Sequence, residues 1–187
     1  MTQPGMIGIC GSHKPSFLQR AIMFFTDSDR SHAFLITSNV CGEEAVQEAS
    51  LLVQIVPFGS HYRENPESYY DIYQVSPGVV SQDEIDSALR QVFEEYAGMT
   101  YGFLQLPWFI WRWINRKFGR DIHKELNWFN TNIICSGEVF DFWIYLGLGM
   151  IIPKVMSQYH PSTIAPADIL AIVKRNPDLF ELVEQKR

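Results

Sequence analysis

The chain has 187 residues, of which 47% are hydrophobic and 19% charged, with a formal net charge of −6. That length and balance fit one globular domain (1–187) with a full core and exclude a disordered chain. The acidic balance and the lack of a general basic stripe argue against a nucleic-acid binder, and Cys10, Cys41 and Cys135 are too widely spaced for a disulfide framework or a zinc site, which fits a reducing compartment. In chain order, residues 1–5 show no basic n-region or apolar core, so no secretory signal is expected. Residues 6–10 read as a short apolar strand ending at Gly11, and 16–25 as a helix with Pro15 near its start and Phe17, Ala21, Phe24 and Phe25 on one side, a core-packing pattern. Residues 32–37 form a strand, a turn follows at Cys41-Gly42, and 46–49 with 51–56 read as a hairpin or one bent strand. Residues 70–75 form another strand, led in by Tyr69 and Tyr70. A helix over 81–96 opens on a Ser81/Glu84 capping box, carries Ile85, Leu89, Val92, Phe93 and Tyr96 at helical spacing, and stops before Gly98. Residues 103–118 are helical but interrupted by Pro107, 135–146 form a further helix, 166–174 a short one, and 179–183 an edge strand. A helix-rich half around a small, mainly antiparallel sheet is an α+β fold. No stretch reaches the ~18–20 apolar residues of a membrane span, so a cytoplasmic protein is expected.

The chemistry concentrates in Asn132-Ile133-Ile134-Cys135-Ser136-Gly137-Glu138-Val139-Phe140, where a short apolar run gives way to a helix. A thiol at a helix N-terminus meets unpaired N–H groups and the positive end of the dipole, both of which favour the nucleophilic thiolate. His32, at the mouth of a strand, supplies an imidazole; Glu48, on the next strand, can orient it across an antiparallel pair. Tyr101 and the backbone N–H of Cys135 are candidate oxyanion donors. Against this stand bland readings: a buried cysteine is usually a small hydrophobe, a strand-edge histidine structural, Glu48 a solvated strand residue and Tyr101 a core aromatic. Cys10 and Cys41 keep that reading. His13, His61, His123 and His160 fall in loop contexts as surface residues, with His160 held in reserve. Scattered His and Asp residues lack ligand spacing, and no metal or cofactor is expected.

Several motifs recur in a recognisable order. Phe17-Leu18-Gln19-Arg20-Ala21-Ile22-Met23-Phe24-Phe25 leads to Asp29-Arg30-Ser31-His32-Ala33-Phe34-Leu35, then Glu48-Ala49, Gly98-Met99-Thr100-Tyr101, Cys135-Ser136-Gly137-Glu138-Val139 and Pro166-Ala167-Asp168-Ile169-Leu170. In this order they resemble the circularly permuted branch of the NlpC-type papain-like superfamily, the YiiX/YaeF-like proteins. The resemblance covers most of the chain and implies a papain-like α+β fold, its nucleophile helix packed on a small barrel-like sheet. It also implies Cys135 as nucleophile, His32 as base, Glu48 as orienting residue and Tyr101 near the oxyanion. Relatives of this class cleave amide bonds, notably in cell-wall peptides, and other permuted relatives move acyl groups between lipids. Two departures stand out: Ala33 follows His32 where valine and then glycine are common, and Gly137 lengthens the Cys-Ser-Glu spacing.

The segment 103–120 is an aromatic and basic insertion that catalysis leaves unexplained. It combines Trp108, Trp111 and Trp113 with Arg112, Arg116, Lys117 and Arg120. Such a mixture suits a membrane interface, a lid over an apolar pocket, a dimer contact, or a buried helix with a solvated basic end. The sequence therefore points to a cysteine hydrolase acting on a small peptide or peptidoglycan fragment. A lipid acyltransferase or thioesterase, and an inactive binding module, are the alternatives.

Overall fold

The computed structural model describes residues 2–38, 43–50, 52–100, 102, 106–120 and 134–187. Among these, six strands form one antiparallel sheet in the order β4-β3-β2-β1-β5-β6. The strands are β1 (Ile7–Ser12), β2 (His32–Ser38), β3 (Glu44–Ala49), β4 (Val53–Pro57), β5 (Ser68–Val75) and β6 (Phe180–Lys186). The helices are α1 (Phe17–Thr26), α2 (Gln82–Tyr96), α3 (Leu106–Lys117), α4 (Cys135–Tyr145), α5 (Leu148–Ile151), α6 (Pro153–Met156) and α7 (Pro166–Arg175). The α+β class follows, but the barrel-like closure expected of the sheet does not: β4 and β6 lie at opposite ends of the order. β4 is short and ends at Pro57, while β6 carries Glu181, Glu184 and Lys186, and both are features of strands built to remain edges.

Local sequence explains the ends of the helices. Ser16 caps α1 and Ser81 caps α2, each in a capping box with the third helical residue, Gln19 and Glu84. Pro107 falls in the first turn of α3, where its missing N–H costs no hydrogen bond, so it starts that helix instead of interrupting it. The expected hairpin is β3–β4, with Glu48 opposite Gln54.

The largest core cluster lies between the sheet and α2, α4 and α7. There Ile7 and Ile9 of β1 and Ala33 and Leu35 of β2 meet Val139, Phe142 and Trp143 of α4. The strand residues between them point the other way: Cys10, Phe34, Ile36 and Val46 join Phe58, Tyr62 and Tyr70 in a second cluster. This two-sided alternation is the period-2 geometry of strands with both faces covered. In α4 every residue from Cys135 to Trp143 is buried, which fixes its N-terminus against the sheet. α1 departs from the core-packing expectation, because Phe17 and Phe24 are exposed and only Ile22 and Thr26 are buried. No helix among the described residues is long and apolar enough to cross a membrane.

Candidate active site

His32 opens β2, and Glu48 lies near the end of β3. The register sets Leu35 opposite Gln47, which places Glu48 diagonally beside His32 on one face of the sheet. Their side chains meet, with His32 Nε2 3.1 Å from Glu48 Oε2. Cys135, the first residue of α4, is near enough to the imidazole to act on its charge. Ile134, the residue before it, is extended, so Cys135 begins the helix with its backbone N–H among those that have no intrahelical acceptor. The structure thus brings Cys135, His32 and Glu48 together.

The electrostatics follow from this contact. Burial pushes the His32 pKa down, but the Cys135 charge and hydrogen bonds with Cys135 and Glu48 outweigh it and hold the imidazole well above its ordinary value. Burial also opposes ionisation of Glu48, which is only 2% exposed. Its hydrogen bond to His32, the His32 charge and the Tyr62 hydroxyl overcome that and bring it down to about 2. Tyr62 donates to Glu48 Oε2, Gln54 Nε2 donates to Oε1 at 3.4 Å, and His61 Nε2 lies 3.6 Å from Oε1. A carboxylate with that many donors stays ionised even when buried.

Tyr62 and His61 reach Glu48 from a π-helical turn, Gly59–Arg63, between β4 and β5. β6 fastens this turn from behind: Lys186 Nζ donates to the carbonyls of Tyr62, Arg63 and Asn65 at 3.0, 3.0 and 2.5 Å. His61 was expected at the surface, and it is half exposed, but it also lines the site. No sequence pattern marked Tyr62, because the turn has neither helical nor strand periodicity and its role arises only from the chain folding back on β3.

Glu138, one turn after the nucleophile candidate, is fully buried. Gln47 Nε2 donates to its Oε1 at 2.7 Å, and its Oε2 has no hydrogen-bond partner. Burial therefore dominates and raises this carboxyl to about 7, despite the bond from Gln47 and the nearby His32 charge. Gly137 has its own reason: a Cβ there would lie 2.4 Å from the Pro161 carbonyl oxygen. The residue that departs from the Cys-Ser-Glu pattern is the one that lets the 160–164 turn pass against α4.

Cys10 sits directly opposite His32 in the β1–β2 register. Burial, reinforced by the Glu48 and Cys135 charges, pushes its thiol up to about 12 against the pull of His32. Cys10 and Cys135 are both buried, and neither is in a disulfide. A cleft of about 450 Å³ opens beside the His32–Glu48 pair, bordered by Leu18, Gln19 and Ile22 of α1, Ser12 of β1 and Ser50 and Asn65 from the loops. Its described lining includes no lysine or arginine.

The remaining expected residues fall elsewhere. Tyr101, Cys41 and His123 lie outside the described residues. His13 is exposed beside Tyr69, and His160 Nδ1 lies 2.8 Å from Ser162 Oγ in the 160–164 turn. Of the three tryptophans expected to form one contact surface, Trp108 is buried in the core, Trp113 packs on Phe24 and Phe25, and Trp111 is exposed. The helical period separates them onto different sides of α3.

No family model and no curated protein matches the chain. Among solved structures, it is similar to the crystal structure of the metalloprotein yiiX from Escherichia coli O157:H7, DUF1105. The similarity covers 99% of each chain at a TM-score of 0.61 and 19% identity. The two proteins therefore share a fold along essentially their whole length. Among the described residues of this chain, no three His, Cys, Asp or Glu side chains are grouped to hold a metal ion.

Proposed function

We propose that this protein is a cysteine hydrolase of the permuted, NlpC-type papain-like kind that cleaves an amide bond in a small peptide or cell-wall fragment. The observation that carries the reading is the placement of His32 between Cys135 and Glu48. The fold shared with yiiX and the ordered motifs from Phe17 to Leu170 support it.

In this reading His32 takes the Cys135 proton, and Glu48 holds the imidazolium by its Nε2–H. The thiolate sulfur attacks the carbonyl carbon, and the oxyanion forms beside the N–H groups at the start of α4. His32 then gives its proton to the departing amine as the C–N bond breaks, leaving a thioester on Cys135. Water, deprotonated by His32, attacks the thioester carbon; the tetrahedral intermediate collapses to re-form the carbonyl, the C–S bond breaks, and the acid leaves with Cys135 returned as the thiolate beside the His32 imidazolium. The cleft beside His32 and Glu48 offers neutral hydroxyl and amide groups, including Ser12, Gln19, Ser50 and Asn65. These can hydrogen-bond the backbone of a peptide, and the described lining holds no lysine or arginine to read a carboxylate.

The test is the pH dependence of iodoacetamide alkylation at each cysteine, read by mass spectrometry in the wild type and in His32→Ala. Cys135 should react well below the ordinary thiol pKa of about 8.5 and lose that advantage without His32. Cys10, held up to about 12, is the internal control and should stay inert at neutral pH. Equal rates at Cys135 and Cys10 would remove the reading and leave a fold that binds without reacting.

A further inference from the structure

α3 is apolar on two opposite sides. Trp108, Phe109 and Arg112 turn inward, and Arg112 closes a bidentate ion pair with Asp168 of α7 at 2.5 and 2.9 Å. On the outward side Ile110, Ile114 and Phe118 recur at four-residue spacing with Trp111 beside them, and they are 38%, 38%, 78% and 53% exposed. A helix that served the core alone would be polar there. Phe24 of α1, 61% exposed, continues the patch through Trp113, whose ring centroid lies 5.5 Å from its own. Lys117 Nζ stands 5.5 Å from the same indole ring.

The C-terminal end of α3 is basic, while Asp27 and Asp29 border the Phe24–Trp113 edge of the patch. The chain carries a net −6, yet residues 13–26 and 106–120 contain no Asp or Glu. They hold Lys14, Arg20, Arg112, Arg116, Lys117 and Arg120. Lys14 is paired with Glu67, and Arg112 with Asp168, whereas Arg116, Lys117 and Arg120 lie exposed where α3 ends beside Phe118. Exposed aliphatic and aromatic side chains flanked by cations are the composition of a helix that lies in a headgroup layer.

We propose that the outward face of α3, extended by Phe24 of α1, docks on an anionic lipid bilayer. The contact lies in the interface, with Trp111, Ile114 and Phe118 entering the boundary between headgroups and acyl chains and Arg116, Lys117 and Arg120 meeting lipid phosphates. α1 joins this surface to the cleft, which it borders with Leu18, Gln19 and Ile22.

Co-sedimentation of the full chain with phosphatidylcholine vesicles, with and without a third of phosphatidylglycerol, tests the proposal. The protein should sediment with the anionic vesicles at low salt and lose most of that association at high salt. Trp111→Ser/Phe118→Ser and Arg116→Glu/Lys117→Glu should each weaken it by about tenfold or more. Both variants should keep the wild-type alkylation profile at Cys135, which shows that they are folded and separates this test from that of the hydrolase reading. Absence of sedimentation with anionic vesicles at low salt overturns the proposal, as does binding that neither variant weakens. A concentration-dependent dimer lost in Trp111→Ser/Phe118→Ser would assign the face to a second copy and overturn it too.

Discussion

Glu48 and Glu138 are buried to nearly the same degree, 2% and 0% exposed, and both lie close to His32, yet they titrate in opposite directions. Glu48 falls to about 2 and Glu138 rises to about 7. The difference lies in what faces the oxygens. His32, Tyr62 and Gln54 converge on Glu48, with His61 close by, whereas Glu138 is met by Gln47 and the Ala49 backbone, faces the Glu48 charge, and has no partner for Oε2 among the described residues. Depth of burial alone therefore says little about the charge a carboxyl carries; the donors aimed at it decide. One strand contributes to both sites: Gln47 and Glu48 are neighbours on β3, so their side chains leave on opposite faces and enter environments of opposite character.

The largest effect should come from breaking the Glu48 side of the comparison. Glu48→Gln keeps the shape but removes the charge that holds the imidazolium. If the hydrolase reading holds, turnover should fall on the order of 10²-fold, and Cys135 alkylation should shift towards the pH range of an ordinary thiol. A profile identical to the wild type would mean that Glu48 does not set the charge of His32.

Glu138→Gln should act on stability and hardly on alkylation. A carboxyl raised to about 7 binds its proton more tightly in the folded than in the unfolded chain, so the wild type loses stability as pH rises from about 4.5 to 7 and levels off above. The loss should be on the order of 3 kcal/mol, and the variant should lack it. Urea unfolding at pH 5 and pH 8 measures this; equal pH slopes in the two proteins would show that Glu138 ionises normally. Asp141, also raised to about 7 by burial despite the hydroxyl of Tyr96 at 2.6 Å, contributes a second loss of the same sign that survives in Glu138→Gln.

The smallest effect is expected of Tyr62→Phe. It removes one donor from Glu48, costs roughly 1 kcal/mol of stability, and raises the Glu48 pKa from its low value. Glu48 gives stability above its unfolded pKa and loses it as pH falls towards about 2, so the acid-induced loss in the variant should begin at higher pH. Acid unfolding followed by circular dichroism would detect it, and an unshifted midpoint would mean that the Tyr62 hydroxyl contributes nothing to Glu48.

Cys135, His32 and Glu48 stand in local patterns that are each weak, and it is the order of the motifs along the chain that singles them out; the structure sets His32 against Glu48. Cys135 sits where an apolar run turns helical, and His32 and Glu48 sit on strands whose alternation sends them to one face. The helix caps at Ser16 and Ser81 were equally local. What stayed hidden depends on distant parts of the chain. Tyr62 and His61 reach Glu48 only through the π-helical turn, Gly137 needs a backbone 24 positions away to explain it, and the open sheet reflects two strands that never meet. The sides of α1 were misjudged for a related reason: Phe17 and Phe24 have helical spacing but look outward, and periodicity alone does not say which side a core occupies.

The Lys186 clamp on the 62–65 backbone has a consequence for the order of events during folding. It joins residues up to 124 positions apart, and contacts that distant form late because chain entropy must be overcome before they give any return. His32 and Cys135 are likewise contributed by segments far apart in the chain. The imidazole–thiol pair therefore has no existence in a half-made chain: a ribosome that has released only β1 to β5 has made the histidine and its carboxylate but not their sulfur. Cys135 meets His32 only after α4 has been synthesised, and Glu48 keeps Tyr62 firmly only after β6 has closed over the turn. The pair arrives last, as a property of the finished molecule.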